Sequence, residues 1–271
     1  MAIVDFDLSD REFERLRSLV QKYTAIELSD AKRQLVYSRF SRRLRELGLN
    51  SFDQYCDLVD DGSGLEIKEL ASAITTNFTR FFREIHHFEF LARQLAEWDA
   101  RAPLRIWSAG CATGEEPYSI AITLFETLAD AQERDIRILA TDVDGKALEF
   151  ASRGIFPADR VSDMDPVIRR RWFLKGRGEL SNRVKIASKA KTLIHFKELN
   201  LIHDWPMRGS FDLIFCRNVM IYFGLEAKKA LVRRFADAQN TGDYLVVGHA
   251  ENLGKLSELY TPLGSTVYRR L

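Results

Sequence analysis

The sequence predicts an α/β protein in which a doubly wound parallel sheet follows a helical N-terminal domain. Residues 1–97 carry apolar side chains at helical spacing, whereas residues 98–271 alternate short apolar runs with helical segments. Within the second region, residues 155–191 interrupt the alternation for longer than an ordinary connection does. We therefore predict two domains, the second of which contains a small inserted β-subdomain over residues 155–191.

Several helices are predicted in the N-terminal domain. Asp10 is suited to cap the first helix, Asp30 opens the second, and Gly48 ends the second. One face of the second helix carries Val36, Phe40, Leu44 and Leu47. Further helices are predicted at about 53–59, 65–74 and 88–98.

The second domain begins its α/β alternation with a strand over residues 104–109. Later strands are predicted at 136–141, 193–199, 211–216 and 244–247, and helices at 115–128, 145–153 and 225–238. Residues 266–269 are predicted to add a final strand at the edge of the sheet. In the insertion, the alternating Val184-Lys185-Ile186 predicts an antiparallel strand.

The turn after the first strand is the most informative segment of the chain. Gly110 and Gly114 let a ligand approach the backbone closely. Two carboxylates, Glu115 and Glu116, follow at the helix entrance, where a phosphate site would carry a lysine. The turn therefore disfavours a phosphate and favours a cationic ligand. S-adenosylmethionine meets this requirement, because it carries a sulfonium and an ammonium group and no phosphate.

Polar residues stand at the predicted carboxyl ends of the other strands, where open α/β sheets bind their ligands. Asp142 is placed to accept hydrogen bonds from both ribose hydroxyl groups. The alternative for Asp142 is a helix cap, a role that suits Asp144 better. Asn200 and Asn218 are placed to bond adenine or the amino-acid end of the cofactor, and turn formation is the alternative for both.

The composition excludes some classes of protein. Forty basic and thirty-nine acidic residues give a net charge of +1, so no nucleic-acid partner is expected. Cys56, Cys111 and Cys216 have neither a disulfide nor a metal spacing, so we expect no metal site and a reducing, cytoplasmic environment. We recognise no signal peptide and no apolar run of membrane length, so no membrane insertion is expected.

Three motifs carry a family resemblance that covers nearly the whole chain. They are Thr75–Glu84 (TTNFTRFFRE), Gly114–Ser119 (GEEPYS) and Cys216–Phe223 (CRNVMIYF). In this order they closely resemble the chemotaxis receptor methyltransferase (CheR) family. The resemblance implies a Rossmann-like domain that transfers a methyl group from S-adenosylmethionine to glutamate side chains on the cytoplasmic helices of chemoreceptors. The implied products are a glutamyl methyl ester and S-adenosylhomocysteine.

By matching motif, the resemblance implies a catalytic pair, Arg83 and Tyr222. It also implies cofactor contacts at Asn77, Thr79, Arg83, Glu116, Asp142, Asn200, Leu201, Asn218 and Val219. A glutamate carboxylate, with a pKa of about 4.3, is already ionised, so Arg83 and Tyr222 are expected to position groups rather than to transfer protons. Glu115 lies next to these residues, but a first-turn acid favoured by the helix dipole explains it at least as well as a contact with the cofactor does. The residues predicted to pack rather than to stack on adenine are Phe78, Phe81 and Phe82.

Substrate docking is predicted on the basic second helix. Residues 31–45 include six basic residues and no acid, and the family's receptor segments are helical and acidic. The residues predicted to dock the receptor are Arg39, Arg42, Arg43 and Arg45. The alternative is a solvated charged face.

The insertion has two predicted roles. Lys175–Val184 contains two glycines and adjoins an alternating strand, which suits an extended receptor C-terminal peptide held by Arg177 and Arg183. Asn182 stands where a further glycine is common in members of the family that bind such a tail. The alternative is a basic lid over the cofactor. Two other functions stay open for the chain: methylation of RNA or of another protein, and regulation by a module that binds the cofactor without catalysis.

Overall fold

The computed structural model describes residues 6–62, 64–99, 101–254 and 258–271. The chain forms two compact units. The helical unit comprises Met1–Thr76 and Tyr222–Lys228, and the sheet unit comprises Asn77–Ile221 and Lys229–Leu271.

The helical unit begins with amphipathic helices. They are α1 (Asp10–Thr24), α2 (Arg33–Leu47), α3 (Phe52–Asp60) and α4 (Gly64–Ile74). Ser9, not the predicted Asp10, caps α1: Ser9 Oγ accepts a hydrogen bond from Glu12 N at 3.3 Å, and Glu12 Oε2 accepts one from Ser9 N at 3.0 Å. The prediction was wrong by one residue, because only Ser9 has a glutamate three positions later to complete the capping box.

The apolar face of α2 lies in the core of the helical unit. Its fully buried apolar residues are Val36, Phe40 and Leu44. The ring of Phe40 lies 5.4 Å from that of Tyr55 in α3, measured between centroids. Leu47, at the end of the predicted stripe, is only half-buried. Gly48 ends α2 with a φ of 69°, as predicted, because a residue with a Cβ atom is disfavoured in that left-handed conformation.

The sheet unit alternates strands and helices around one large sheet. Its elements, in chain order, are α5 (His86–Glu97), β1 (Leu104–Ala109), α6 (Glu115–Thr127), β2 (Ile136–Asp142), α7 (Gly145–Arg153), β3 (Ile155–Pro157), α8 (Pro166–Trp172), β4 (Phe173–Lys175), β5 (Arg183–Ile186), α9 (Ser188–Lys191), β6 (Ile194–Glu198), β7 (Leu213–Cys216), α10 (Leu225–Asp237), β8 (Tyr244–Val247), β9 (Tyr260–Gly264) and β10 (Val267–Arg270). The first residues of α10, up to Lys228, belong to the helical unit. The strand order is β6-β2-β1-β7-β8-β10-β9. The first five strands in that order pair in parallel, and β10 is antiparallel to both of its neighbours. The predicted doubly wound parallel sheet is confirmed.

The last strand was predicted at the sheet edge, and this was wrong. β10 lies between β8 and β9, so β9 is the edge strand. Apart from Tyr260, the residues of β9 are exposed, and they include Pro262 and Gly264. Such a segment shows neither the alternation nor the apolar run by which strands are recognised, and proline is tolerated in a sheet chiefly at an edge.

Helix α5 belongs to the sheet unit, although our predicted helical domain extends to residue 97. The ring of Phe88 lies 6.0 Å from that of Phe215 in β7, and the ring of Phe90 lies 5.1 Å from that of Tyr244 in β8. The apolar face of α5 is therefore buried on the sheet. The unit boundary lies after Thr76. The prediction differed because helical periodicity shows that a segment has an apolar face but not which core covers that face.

The insertion forms a second sheet of antiparallel strands in the order β3-β5-β4, as the alternation at residues 184–186 predicts. Phe81 packs edge-on against Phe156 of β3 and Phe173 of β4, with ring centroids 5.0 Å apart in each pair. Arg160, also from the insertion, donates a hydrogen bond to the carbonyl of Thr79 at 2.8 Å. The insertion thus supports residues 77–85, the segment that leads into α5.

No helix in the described parts of the chain is both long enough and apolar enough to cross a bilayer. The cysteines Cys56, Cys111 and Cys216 are free and buried. Burial raises the pKa of the Cys111 and Cys216 thiols. Both are therefore protonated at neutral pH and are poor nucleophiles.

Candidate active site

The carboxyl ends of β1, β2 and β7 meet at one edge of the sheet, because these strands are parallel and adjacent. Gly110, directly after β1, has a φ of 87°. A Cβ atom on Gly110 would lie 2.3 Å from Cγ2 of Val219, so the loops after β1 and β7 approach each other more closely than any other residue would allow. This close approach brings the loops after β1 and β7 together at the strand ends.

Asp142 is the buried acid at the end of β2. Its Oδ2 accepts a hydrogen bond from Ala112 N at 2.8 Å, and its Oδ1 accepts one from Asp144 N at 2.9 Å. Burial raises the pKa of Asp142, and these backbone N–H groups oppose the rise. Each carboxylate oxygen keeps a further lone pair, so Asp142 can accept hydrogen bonds from two neighbouring hydroxyl groups. The ribose of a nucleoside cofactor offers two such neighbouring hydroxyl groups.

Asp144 has the cap role expected for it. Its Oδ1 accepts hydrogen bonds from Lys146 N at 3.0 Å and Ala147 N at 3.4 Å, and so caps α7. Its Oδ2 accepts a hydrogen bond from the side-chain amide of Asn77 at 2.7 Å. This bond ties the start of the 77–85 segment to the loop after β2, next to Asp142.

Glu115 and Glu116 occupy the first turn of α6, and both are buried. Glu116 accepts hydrogen bonds from Ser108 Oγ at 2.7 Å and from Arg217 Nη1 at 2.9 Å. Burial raises the pKa of Glu116, and the Arg217 guanidinium opposes that effect. Glu115 instead faces Thr113 Oγ1 at 2.6 Å and Arg160 Nη1 at 3.2 Å. Glu116 is thus the acid held at the end of β1, whereas Glu115 links the turn to the insertion.

Residues 77–85 form an irregular segment that carries Asn77, Thr79 and Arg83. Arg83 donates a hydrogen bond from Nη1 to the carbonyl of Phe78 at 2.9 Å, which closes the segment into a loop. The side chain of Arg83 is 28% exposed, so its other N–H groups can reach a ligand. Phe81 is buried as expected, but Phe78 is 75% exposed and lies beside the Arg83 guanidinium instead of packing in the core.

The two asparagines adopt the turns that were the alternative to ligand contact. Asn200 Oδ1 accepts a hydrogen bond from Ile202 N at 3.1 Å. Asn218 has a φ of 60°, and its backbone N donates to Glu251 Oε2 at 2.7 Å. Both side chains are half-exposed at the ends of β6 and β7, so a turn and a ligand contact are compatible at each position. Leu201 is buried beside Asn200.

Two residues that sequence reasoning missed organise the loop after β7. Arg217 is buried and pairs with both Glu116 and Glu84. Glu251 is buried after β8 and accepts hydrogen bonds from Gly248 N at 2.6 Å, Asn218 N at 2.7 Å and Ile221 N at 3.1 Å. Arg217 stands inside a recognised motif and could have been singled out there. The partners Asn218 and Ile221 lie 33 and 30 residues from Glu251 in sequence, so no local pattern connects Glu251 with them.

Tyr222 lies in the helical unit and is half-buried. Its carbonyl accepts a hydrogen bond from Glu27 N at 2.8 Å, and an antiparallel bridge joins Ile26 to Phe223. The backbone around Tyr222 is therefore fixed by residues that follow α1.

The four arginines predicted to dock a partner have different surroundings in the helical unit. Arg39 is half-buried and donates to the carbonyls of Ala73 and Thr75 at the end of α4. Arg43 is held by Glu66, with Nε–Oε1 and Nη2–Oε2 distances of 2.9 and 2.7 Å. The two exposed members of the set are Arg42 and Arg45. Arg42 pairs with Glu46 at 3.0 Å, and Arg45 lies 5.9 Å from the ring centroid of Phe6.

Glu84, His86 and His87 bring potential metal-ligand atoms within 4.8 Å of one another. The Arg217 guanidinium opposes a cation here, because it pairs with Glu84 and its charge also acts on His87. We therefore assign no metal to this cluster.

His87 predicts a pH dependence of stability. Burial, with the nearby Arg217 charge, lowers the pKa of His87 to about 4; His86 also opposes its protonation, whereas the Ser265 carbonyl and Glu84 favour it. The unfolded chain takes up this proton near pH 6.5, whereas the folded chain does not. Above pH 6.5 His87 therefore causes no loss in the free energy of unfolding. We expect that free energy to fall by up to about 3 kcal/mol as the pH drops toward 4.

Urea unfolding of wild type and His87→Gln at a series of pH values checks this expectation. The variant should be less stable at neutral pH, and its stability should depend less steeply on pH between about 6.5 and 4.5. Below this interval Glu84, whose pKa Arg217 and the His249 N–H lower against the effect of burial, adds its own loss. Parallel curves for the two proteins would contradict the assignment to His87.

A doubly wound sheet that ends in a glycine turn and two buried carboxylates, without a lysine in the turn, defines a nucleoside-cofactor domain of the S-adenosylmethionine-dependent methyltransferase class. The hydrogen-bond acceptors at the strand ends fit that cofactor, since Glu116 can accept from an ammonium group and Asp142 from ribose hydroxyls. Residues 77–269 match the family described as "CheR methyltransferase, SAM binding domain", and residues 11–75 match "CheR methyltransferase, all-alpha domain". The chain belongs to the CheR methyltransferase family, and its cofactor is S-adenosylmethionine.

Similar proteins extend over nearly the same length. The chain is 40% identical over 269 residues to "Chemotaxis protein methyltransferase 2" of Pseudomonas aeruginosa, covering 97% of this chain and 94% of the relative. It is 40% identical over 268 residues to "Chemotaxis protein methyltransferase" of Escherichia coli K12, covering 96% and 91%. It is 40% identical over 258 residues to "Probable chemotaxis protein methyltransferase" of Rhizobium etli, covering 93% and 96%. The predicted family, fold class and cofactor are confirmed.

Proposed function

We propose that this protein methylates glutamate side chains in the cytoplasmic domains of chemoreceptors and forms glutamyl methyl esters. The observation that carries the proposal is the placement of Arg83, whose partly exposed guanidinium lies on the segment that Asn77 ties to the loop bearing Asp142. Guanidinium groups bind carboxylates by charge-assisted hydrogen bonds. The naming of the relatives as chemotaxis methyltransferases supports a receptor as the source of that carboxylate.

The proposed cofactor roles use the hydrogen-bond acceptors at the strand ends. Asp142 accepts from the ribose hydroxyls, and Glu116 accepts from the cofactor ammonium. The 77–85 segment borders the amino-acid end through Asn77, Thr79 and Arg83. Adenine and the rest of the cofactor contact the loops after β6 and β7 through Asn200, Leu201, Asn218 and Val219.

The reaction requires no general base, since the glutamate substrate is ionised at neutral pH. When bound, S-adenosylmethionine would supply an electrophilic methyl group to the carboxylate oxygen and would leave as S-adenosylhomocysteine. The protein must hold the carboxylate, strip its water and aim one oxygen at the methyl carbon. Arg83 and Tyr222 take these positioning roles, Arg83 by charge-assisted hydrogen bonds and Tyr222 through its hydroxyl.

Tyr222→Phe is expected to lower the methyl-transfer rate while leaving the affinity for S-adenosylhomocysteine close to that of the wild type. The change removes one hydroxyl and keeps the ring, and the Glu27 bond to the Tyr222 carbonyl involves only backbone. Turnover at saturating receptor, together with calorimetric titration of the product cofactor, measures the two effects. Wild-type turnover would remove the hydroxyl from the mechanism.

Receptor docking is expected to depend on the exposed arginines of α2. Reversing Arg42 and Arg45 to glutamate should weaken receptor methylation strongly at low salt and spare cofactor binding, because screening limits such attraction to about 8–10 Å at ordinary ionic strength. The control is Lys22→Glu, which replaces an exposed basic residue of α1 by an acidic one and so reverses one charge outside α2. Equal methylation by the double variant and the control would favour a solvated charged face.

We also propose that the inserted sheet holds an extended receptor C-terminal peptide. Among the residues that the structure describes, β4 is an outer strand of the order β3-β5-β4, so its outer edge can take an added strand. Calorimetry with receptor C-terminal pentapeptides tests the tether. Absence of binding at millimolar peptide, by a protein that methylates receptors, would leave α2 as the docking element.

The reaction itself is tested by incubating the protein with methyl-labelled cofactor and a receptor cytoplasmic fragment. We expect label on the receptor that is released by mild alkali, as esters are, and lost when the acceptor glutamates are replaced by alanine. Alkali-stable label would point to methylation of nitrogen. Binding of the cofactor without transfer to any receptor would point to a regulatory module.

A further inference from the structure

We propose that Arg217 is a positioning residue for methyl transfer, which holds the Glu116 carboxylate and the backbone of Arg83 in fixed places relative to each other. The inference deepens the proposed function and rests on it for the roles of Glu116 and Arg83. Arg217 belongs to the motif Cys216–Phe223, in which the cofactor and catalytic roles fall on other residues.

Arg217 is buried, with 6% of the residue exposed, and its guanidinium has partners in two segments. Nη1 donates to Glu116 Oε2 at 2.9 Å, in the first turn of α6. Nη2 donates to the carbonyl of Arg83 and lies 3.3 Å from Glu84 Oε2, both in the 77–85 segment. One planar group thus joins the end of β7 to a cofactor ligand and to the backbone of the catalytic arginine.

The backbone that Arg217 holds is strained. Phe82 and Glu84, on either side of Arg83, have φ values of 51° and 56°. Residues with a Cβ atom occupy this left-handed region at a cost of about 1 kcal/mol each and stay there only when neighbouring bonds enforce it. The enforcing bonds here are Phe82 N to Ser119 Oγ at 2.9 Å, His249 N to Glu84 Oε2 at 3.2 Å, and the Arg217 bond to the Arg83 carbonyl.

Arg217 is also the cation next to Glu116. The other titratable groups facing Glu116 are Glu84, from the 77–85 segment, and the thiols of Cys111 and Cys216. Burial and Glu84 raise the pKa of Glu116, whereas Arg217 and the Ser108 hydroxyl lower it. Without Arg217, Glu116 would take up a proton at a higher pH and could no longer attract the cofactor ammonium. Cofactor affinity would then fall as the pH falls.

The test compares Arg217→Gln and Arg217→Lys in the full chain, with S-adenosylhomocysteine binding and receptor methylation as readouts. For Arg217→Gln we expect affinity at least about tenfold weaker near pH 6, recovering as the pH rises. Adding Glu116→Gln should abolish that recovery. For Arg217→Lys we expect near-normal affinity but a kcat lower by about tenfold or more, because lysine restores the charge beside Glu116 without the planar fork that also reaches the Arg83 carbonyl.

The control is Arg134→Lys, which alters a half-buried arginine paired with Asp130 at 2.8 Å at the opposite end of β2. It should change neither the pH profile nor kcat. Equal pH profiles for wild type and Arg217→Gln, or equal kcat for wild type and Arg217→Lys, would overturn the proposal. If Arg217→Gln fails to fold, the contrast between affinity and kcat in Arg217→Lys decides. Failure of the wild type to methylate receptors would refute the proposed function, while the pH profile of binding would still decide whether Arg217 holds Glu116.

Discussion

Replacing Arg43 by alanine is expected to lower the free energy of unfolding of the helical unit by about 3–5 kcal/mol. Arg43 bonds both carboxylate oxygens of Glu66, whose side chain is only 4% exposed. Removing the arginine leaves a buried carboxylate without its cation. Arg43 was predicted from the sequence as a docking residue. A residue that served only docking would leave the free energy of unfolding nearly unchanged.

Arg42→Ala is the matched control, since Arg42 is the neighbouring arginine of α2, with 81% of its side chain exposed. Its exposed pair with Glu46 should contribute less than about 1 kcal/mol. Urea or thermal unfolding of both variants, measured at the same ionic strength, compares them directly. If Arg43→Ala were as stable as Arg42→Ala, the pair with Glu66 would not hold α2 against α4.

Asp142→Asn is expected to weaken S-adenosylhomocysteine binding by roughly tenfold to a hundredfold, which corresponds to the loss of charged hydrogen bonds worth about 1.5–3 kcal/mol. Both oxygens of Asp142 accept from backbone N–H groups. An asparagine must turn its own NH₂ toward one of those donors, so it loses a bond to the loop as well as the charge that we propose for ribose binding.

Isothermal calorimetry measures this effect in a folded variant. Asp135→Asn, at the opposite end of β2 and paired with Arg105 near the surface, is the control and should bind normally. Unchanged affinity in Asp142→Asn would exclude Asp142 from the cofactor site.

Local patterns predicted the parts of the fold that local physics determines. The strands at residues 104–109 and 136–142 are apolar runs ending in a glycine or an acid, and Gly48 ends a helix because of its own backbone freedom. β9 was missed because it is exposed and contains proline. α5 was assigned to the helical domain because its helical periodicity does not show that its apolar face packs on the sheet.

The candidate site was predictable where a motif is contiguous and unpredictable where partners are distant in sequence. Asp142 and Glu116 follow from strand ends and the glycine turn. Glu251 lies 33 residues from Asn218, and Arg43 lies 23 residues from Glu66. From sequence alone a charged residue is expected to be exposed, because its partner is unknown. The structure was therefore needed to show that Arg43 holds α4.

Phe81, between Phe156 and Phe173 of the insertion, has a consequence for how family members diverge. An insertion transplanted from a relative would bring its own rings to that contact and its own residue to the Thr79 carbonyl. A poor fit would shift the segment that bears Asn77 and Arg83. Chimaeras that exchange the insertion alone should therefore need compensating changes at Phe81.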